Sequence, residues 1–337
     1  MRTWGVTWLF PGTPDELTLI EAMYADSVPL GSVVDVFNGI QTSRNDVYVI
    51  PHWQDVDDER VAFLKAGREW LIERRILKPF FEGGVTTLRS FRPLQTGARV
   101  IFPYTISDEA GELRATLIPP IVLREEFPVA WAWLEHNQAV LKHPPRDIRP
   151  APFPADEWYR YGRDQALTAF ENRPKIVVGV NSLGDKYVYD DSNALLASGG
   201  TAGECAIAAF RDAARRSPYD LYFILAVLNH KAVEYFCRKR GSPFRGGWYA
   251  RGTAVLKEIP IPNVQSPSVD ERGQLYLKIV ESSQTLCRLG NALNSADSSV
   301  ERTRLERQMT ALKREMDAAI SALYGITDVI DRIELPA

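Results

Sequence analysis

Cysteine is scarce in this chain: of 337 residues only Cys205, Cys237 and Cys287 are cysteines, an odd number with no Cys-x-x-Cys spacing. That excludes a disulfide framework and a zinc finger and predicts the reduced thiols of a cytoplasmic protein. Long apolar runs are missing as well. No stretch approaches the roughly 18 to 20 residues that a membrane span needs, and mean hydropathy is −0.20. The opening Met-Arg-Thr-Trp-Gly lacks the basic head and apolar block of a secretory signal.

Catalytic signatures are absent too. There is no Gly-x-x-x-x-Gly-Lys-Ser/Thr phosphate loop, no Gly-x-Ser-x-Gly elbow and no His-Glu-x-x-His pair. The four histidines, His52, His136, His143 and His230, are scattered, and none is expected to be a catalytic base. Asp190-Asp191 is the nearest thing to a carboxylate pair for a metal. Neighbours at a strand end point to opposite sides, so a turn after Tyr189 is the better reading. The spacing of a nuclease built on Asp followed by Glu-x-Lys is not found.

Charge is nearly balanced in total, −3, but not in distribution. Residues 1 to 60 carry ten acids against Arg2, Arg44 and Arg60, which is 3 − 10 = −7. Residues 215 to 251 carry eight cations against Asp220 and Glu234, which is 8 − 2 = +6. A local basic stretch can bind phosphate whatever the total, although a solvated face with no partner explains it equally well.

Apolar spacing and breakers give the elements. After Pro11-Gly12-Thr13-Pro14 a helix is expected over Asp15 to Tyr24, opened by a capping acid, then β-rich runs at 33–37 and 47–50. The spacing of Val61, Leu64, Trp70 and Leu71 predicts a helix from Asp57 to Leu77. A second helix runs from Phe127 through Trp131, Trp133 and Leu134 toward Leu141, stopped by His143-Pro144-Pro145. Short strands follow at 175–180 and 187–189, with a glycine-interrupted continuation from Ala194 to Ala208. Tyr222, Leu225, Leu228, Ala232 and Phe236 lie on one face of a helix expected from Tyr219 to Arg240. Leu305, Met309, Leu312, Met316, Ile320 and Leu323 form a heptad-like stripe on a long charged helix. Asn291 to Ser299 is expected to fold this tail into a hairpin, with the stripe packed on the body in preference to a partner.

Three stretches suit recognition rather than catalysis. In Gly39-Ile40-Gln41-Thr42-Ser43-Arg44-Asn45-Asp46, amide, hydroxyl and guanidinium groups can donate to phosphates or base edges. A polar connection closed by bonds from Thr42, Asn45 and Asp46 to the backbone explains it equally well. Trp158 to Gln165 interleaves Trp158, Tyr159 and Tyr161 with Arg160 and Arg163, and Phe244 to Arg251 repeats the theme. Such mixtures stack on bases and contact phosphates. They also pack internally, and packing is slightly favoured for both.

In this order the segments resemble the TaqI-like C-terminal target-recognition region of adenine-specific DNA methyltransferases and of type IIG and type ISP restriction-modification enzymes. The matching pieces are Pro29-Leu30-Gly31 with Gly39-Ile40-Gln41-Thr42, Asn45-Asp46 and Tyr48-Val49-Ile50; Leu77-Lys78-Pro79-Phe80-Phe81; Val100-Ile101-Phe102-Pro103-Tyr104; Trp158 to Arg163; and Pro174-Lys175-Ile176-Val177. Leu225 to Lys231, Lys257 to Pro262 and Leu323-Tyr324-Gly325 complete the series. The family's catalytic domain carries a glycine-rich AdoMet loop and an Asn/Asp-Pro-Pro-Tyr/Phe motif, and neither occurs here. The only Pro-Pro pairs, Pro119-Pro120 and Pro144-Pro145, are followed by Ile121 and Arg146.

The resemblance implies an α+β fold: a mixed-sheet target-recognition domain over residues 1–265 and a helical tail over 266–337. It implies recognition of double-stranded DNA without catalysis by this chain. AdoMet is then expected in a methyltransferase or restriction catalytic subunit or domain that acts with it. The expected DNA contacts are Gln41, Thr42, Arg44 and Asn45 in the first loop, Arg160 and Arg163, and Arg245 and Arg251, with Lys78, Lys175 and Lys231 as further phosphate contacts. Two other readings stand beside it: an enzyme with unfamiliar motifs, and a protein-interaction module or inhibitor that imitates a recognition region.

Overall fold

A four-stranded antiparallel sheet divides the molecule, in the order Val188–Asp190, Lys175–Gly179, Glu204–Ala208, Asp35–Asn38. The computed structural model describes residues 11–81, 87–142, 154–182, 184, 186–198, 203–212, 214–244, 247–264 and 270–335. Side chains of the sheet alternate between two cores. Val36, Ile176, Val178, Cys205 and Ile207 enter one; Val177, Val188 and Ala206 enter the other. With both faces covered, Lys175–Gly179 is buried at every position, which is why it reads as an unbroken apolar run.

The first core is helical. Pro14–Ala25 packs here, opened by the Thr13 side chain, which accepts from the Glu16 N–H at 3.2 Å, rather than by an acid. The predicted helix from Tyr219 to Arg240 is two helices, Leu221–Leu228 and Lys231–Arg240. Two side chains at the junction mark the break. His230 Nδ1 accepts from the Ala232 N–H at 3.2 Å, starting a new helix, and Asn229 donates to the Tyr187 carbonyl at 2.9 Å and accepts from the Tyr187 N–H. His230 caps a first-turn N–H that the break frees from the Leu228 carbonyl, and Asn229 meets both backbone groups of Tyr187, which lies outside the helix.

The tail forms the expected hairpin, Glu271–Asn294 and Ser299–Tyr324, with Ser298 capping the second helix and Gly325 ending it at φ 71°. Met316, Ile320 and Leu323 enter the first core beside Met309 and Leu312. Leu305 joins Leu293 and Ala296 in a small separate cluster at the tip of the hairpin. The stripe therefore packs on its own body. The expected boundary at 265/266 lies outside the described residues.

The second core holds a mixed sheet in which Leu195–Leu196 runs parallel to Leu77–Phe81, while Ala98–Ile101 and Val49–Ile50 add antiparallel neighbours. The predicted helix over Asp57 to Leu77 is here a β-hairpin, Arg60–Lys65 and Arg68–Glu73. Ala66 and Gly67 both take positive φ, 51° and 75°, the two-residue turn that suits a hairpin. Helical spacing would have buried Leu64; it is 72% exposed near the hairpin tip. Val47-Tyr48, expected as β, closes a helical turn, Asn45–Tyr48. The helix after Phe127 is found as Pro128–His136 and Gln138–Leu141, and its predicted stop at 143–145 lies outside the described residues. Glu73 anchors the hairpin to that helix: its oxygens accept from Val129 N at 2.7 Å and Ala130 N at 2.8 Å. The chain is thus α+β with C-terminal helices, and no helix among the described residues is long and apolar enough to cross a membrane.

Candidate nucleic-acid interface

The first recognition stretch leaves the central sheet at Gly39. A side chain there would press on the carbonyl of Leu196 and the backbone of Ala197, so only glycine lets the two chains approach. Ile40 N donates to the Leu196 carbonyl at 2.9 Å and Ser198 N to the Ile40 carbonyl at 2.7 Å. Ser43 then takes a left-handed φ of 62°. Around it the Thr42 hydroxyl donates to Asn45 Oδ1 at 2.5 Å and accepts from the Arg44 N–H at 3.1 Å. The loop is closed by its own side chains, as the polar-connection reading predicts, and it still leaves Asn45 exposed and Gln41 and Arg44 half-buried.

The second stretch joins the first directly. Gln41 and Arg163 form an antiparallel bridge, with Arg163 N donating to the Gln41 carbonyl at 3.3 Å and Gly162 N to the Thr42 carbonyl at 3.1 Å. Gln165 Nε2 donates to the Gly39 carbonyl at 2.9 Å. Segments far apart in sequence thus share one edge. Their aromatics do not face outward. Trp158, Tyr159 and Tyr161 are buried in the second core, and Tyr48 and Tyr161 meet edge to face at 4.9 Å. The Tyr161 hydroxyl donates to the Ile101 carbonyl at 2.6 Å, Tyr48 to that of Tyr159 at 2.6 Å, and Tyr159 to that of Ile118 at 2.5 Å. Burial pushes the Tyr159 phenol up to about 12 and raises Tyr48 and Tyr161 well above their ordinary value. The aromatics are packing, and base stacking by them is ruled out in this arrangement.

Most of the expected cations already have acidic partners. Arg44 Nε donates to Asp46 at 2.9 Å and Nη1 to the Val140 carbonyl at 3.2 Å. The hydrogen bond to Asp46 raises Arg44 and lowers the carboxyl. Arg160 lies between Glu157, at 2.9 Å, and Asp164. Lys78 pairs with Glu171 at 2.5 Å over the ring of Phe102. The Lys231 ammonium donates to the Ile330 carbonyl at 2.9 Å.

Two expected contacts are corrected. Lys175 is fully buried against Asp190 at 2.5 Å, where burial lowers its ammonium and Asp190 opposes that shift. Asp191, on the opposite side, is exposed, so the two carboxylates diverge as expected. Arg251 is also fully buried, paired with Glu234, which Arg238 meets from the other side at 2.7 Å. Burial raises the Glu234 carboxyl, but Arg251 and Arg238 outweigh it and hold it below the usual range. Neither cation can reach a phosphate from there. Arg245 lies outside the described residues.

The structure also gathers cations that the sequence does not group: Arg173, Arg211, Arg215 and Lys257 line one groove beside Asp35. They come from three separate segments, Arg211 and Arg215 sharing the connection after Ala208, and nothing in the sequence links that connection to Arg173 or Lys257. For chemistry the described residues offer little. They contain no group of three His, Cys, Asp or Glu that could hold a metal. His230 is buried against Ser321 at 3.1 Å, and burial lowers its pKa to about 3. The cysteines are unpaired, Cys205 and Cys237 buried.

No family model matches the chain. It is 30% identical over 337 residues to the type II restriction enzyme and methyltransferase RM.Eco57I of Escherichia coli, a match that covers 97% of this chain and 32% of that protein. The chain is thus related to a restriction-modification protein and spans about a third of its length.

Proposed function

We propose that the chain is a sequence-specific DNA recognition module of a restriction-modification system, similar to TaqI-like target-recognition regions. It binds duplex DNA and presents it to a catalytic region that modifies adenine or cleaves. The observation that carries this reading is the bridge between Gln41 and Arg163, which puts both recognition-like stretches on one edge. Polar groups on that edge, Gln41, Arg44 and Asn45, are of the types that read base edges, and Arg160 and Arg163 are of the type that anchors phosphates. The name of the relative, a restriction enzyme and methyltransferase, supports the same reading. On this reading AdoMet is the methyl donor and is held by the catalytic region, as the resemblance to adenine-specific methyltransferases implies.

Contact by Arg44 or Arg160 requires trading a carboxylate partner for a phosphate. Both pairs are at least partly open to solvent, where an ion pair contributes only about 0 to 1 kcal/mol, so the exchange is cheap.

A gel-shift titration against salt tests the reading. The apparent association constant should fall steeply, with a log-log slope of roughly −0.9 for each phosphate neutralised. Replacing Arg160 and Arg163 with alanine should weaken binding to all duplexes while circular dichroism stays unchanged. A flat salt response, or no duplex binding either alone or with a restriction-modification catalytic protein added, refutes the proposal. Binding of that protein without DNA binding in either form would favour an interaction module instead.

A further inference from the structure

The groove of Arg173, Arg211, Arg215 and Lys257 runs along the Asp35–Asn38 strand from Val34 to Phe37, and its volume is about 400 Å³. Its cations are arranged unlike those of the ion-paired surface. Arg173 and Arg211 are held by carbonyls: Arg173 Nε donates to Ala209 O at 3.0 Å, and Arg211 Nη2 donates to Thr168 O and Glu171 O, both at 3.1 Å. Arg173 also meets Asp35, the one acid among the described residues that line the groove. No bond to protein is formed by Arg211 Nε or Nη1, or by Arg173 Nη1, among the described residues. The two guanidiniums are close enough that burial first, and then the charge of Arg173, lower the pKa of Arg211. Arg215 lies 3.9 Å above the Phe210 ring, and Lys257 packs its stem over Gly31; both are exposed.

Four cations line the groove against Asp35, and even with the nearby Glu171, which acts on Arg211, cations outnumber carboxylates there. Like charges held together by neutral carbonyls cost free energy that an anion recovers, and guanidinium forks match phosphate oxygens in pairs. The aromatic faces are not available to a base. Phe37 is covered by Arg173 at 5.4 Å and by the edge of Phe170 at 5.3 Å, and Phe210 by Arg215. The groove is therefore built for phosphate and not for nucleobase. Its outer cations lie on the exposed surface rather than around a closed cavity, which suits a backbone passing over it.

We propose that this groove is a phosphodiester clamp for duplex DNA, contacting the backbone beside the site read by the Gly39–Asp46 loop and carrying no sequence information. This rests on the proposed DNA recognition function and adds to it a phosphate site that none of the recognition stretches contains. The clamp accounts for binding strength and salt dependence, and the loop for sequence preference.

The test is the double variant Arg215→Gln/Lys257→Gln in the full chain, titrated by gel shift with several duplexes from 50 to 200 mM salt. Neither side chain forms a hydrogen bond or ion pair among the described residues, so the fold should survive, as checked by an unchanged thermal melt. The log-log salt slope should become shallower by about 0.9 for each phosphate that the variant no longer neutralises. Affinity at the lower salt should drop roughly tenfold, equally for all duplexes. Arg211→Lys, which keeps the charge and loses the fork, should weaken binding without changing the slope. An unchanged slope and affinity in the double variant, with the wild type binding DNA, overturns the clamp and leaves the parent reading standing. Absence of wild-type binding to any duplex, both alone and with a restriction-modification catalytic protein added, overturns both. Saturable micromolar binding of inorganic phosphate, abolished in the double variant and competitive with DNA, would instead mark a small-anion site and also overturns the clamp.

Discussion

Replacing Glu204 with glutamine should stabilise the protein, and more so as pH rises. Glu204 opens the strand Glu204–Ala208 and is 2% exposed. One carboxyl oxygen, Oε2, has no hydrogen-bond partner among the described residues, and only the Ala197 N–H opposes the effect of burial. Burial pushes the carboxyl up from 4.5 to about 8. Between those values the native state holds a proton that the unfolded chain releases, so stability falls as pH rises through this window and levels off above about 8. At 1.36 kcal/mol per pH unit, the penalty is about 1 kcal/mol at pH 5.5, about 3 at pH 7 and about 5 at pH 8.5. Glutamine keeps the shape and an acceptor for Ala197 but brings an unpaired amide, which costs about 1 kcal/mol at all pH values. The variant should therefore match the wild type near pH 5.5 and exceed it by about 2 kcal/mol at pH 7 and about 3 to 4 at pH 8.5. Urea unfolding of both proteins at the three pH values measures the difference, and slopes common to both cancel. A stability difference that does not change with pH would show that Glu204 ionises alike in the folded and unfolded chain.

Three further expectations concern the scaffold. Lys175→Met leaves Asp190 buried without its counter-charge and should cost about 3 to 5 kcal/mol, whereas Lys175→Met/Asp190→Leu should regain most of it; urea midpoints decide between them. Gly39→Ala places a methyl group against the Leu196 carbonyl and should cost about 1 to 3 kcal/mol, read as a lowered melting temperature, with DNA affinity falling as the loop shifts. Glu73→Ala removes both acceptors at the start of the helix Pro128–His136 and should cost about 1 to 2 kcal/mol, while Glu73→Gln, which keeps one, should cost less.

Elements were legible where one local signal dominated. The tail hairpin follows from a heptad-like stripe interrupted at a polar break, and the central-sheet strands near 175–180 and 187–189 announce themselves as short β-prone runs, whereas Glu204–Ala208 is only the end of a glycine-interrupted continuation from Ala194. The errors come from signals of similar local strength. Val61, Leu64, Trp70 and Leu71 fit a helical face, but Ala66-Gly67 fits a hairpin turn, and β-prone neighbours on both sides decide in favour of the turn. From Tyr219 to Arg240 the helical face is real on both sides of Asn229-His230. What breaks it is a contact with Tyr187, more than forty residues earlier, and no local window contains that partner.

The candidate site was legible in kind and not in membership, for a physical reason. A charge count along the chain treats every arginine alike, but a guanidinium is available to a phosphate only if folding has not already supplied its counter-ion. Of the eight cations behind the +6 between 215 and 251, Arg251 is buried on Glu234, Arg238 shares that acid, Arg240 pairs with Glu258, Lys239 with Glu16 at 3.2 Å, and Lys231 with the Ile330 carbonyl. The excess is therefore largely consumed inside the fold, and the acidic N-terminal stretch supplies part of the neutralisation. Arg215, by contrast, sits on the Phe210 ring and forms no ion pair among the described residues, in a groove whose other cations are Arg173, Arg211 and Lys257. Segregation of charge in sequence and availability of charge in space are separate quantities here. The second depends on which strands and helices become neighbours, so it emerges only with the central sheet and the helices packed against it.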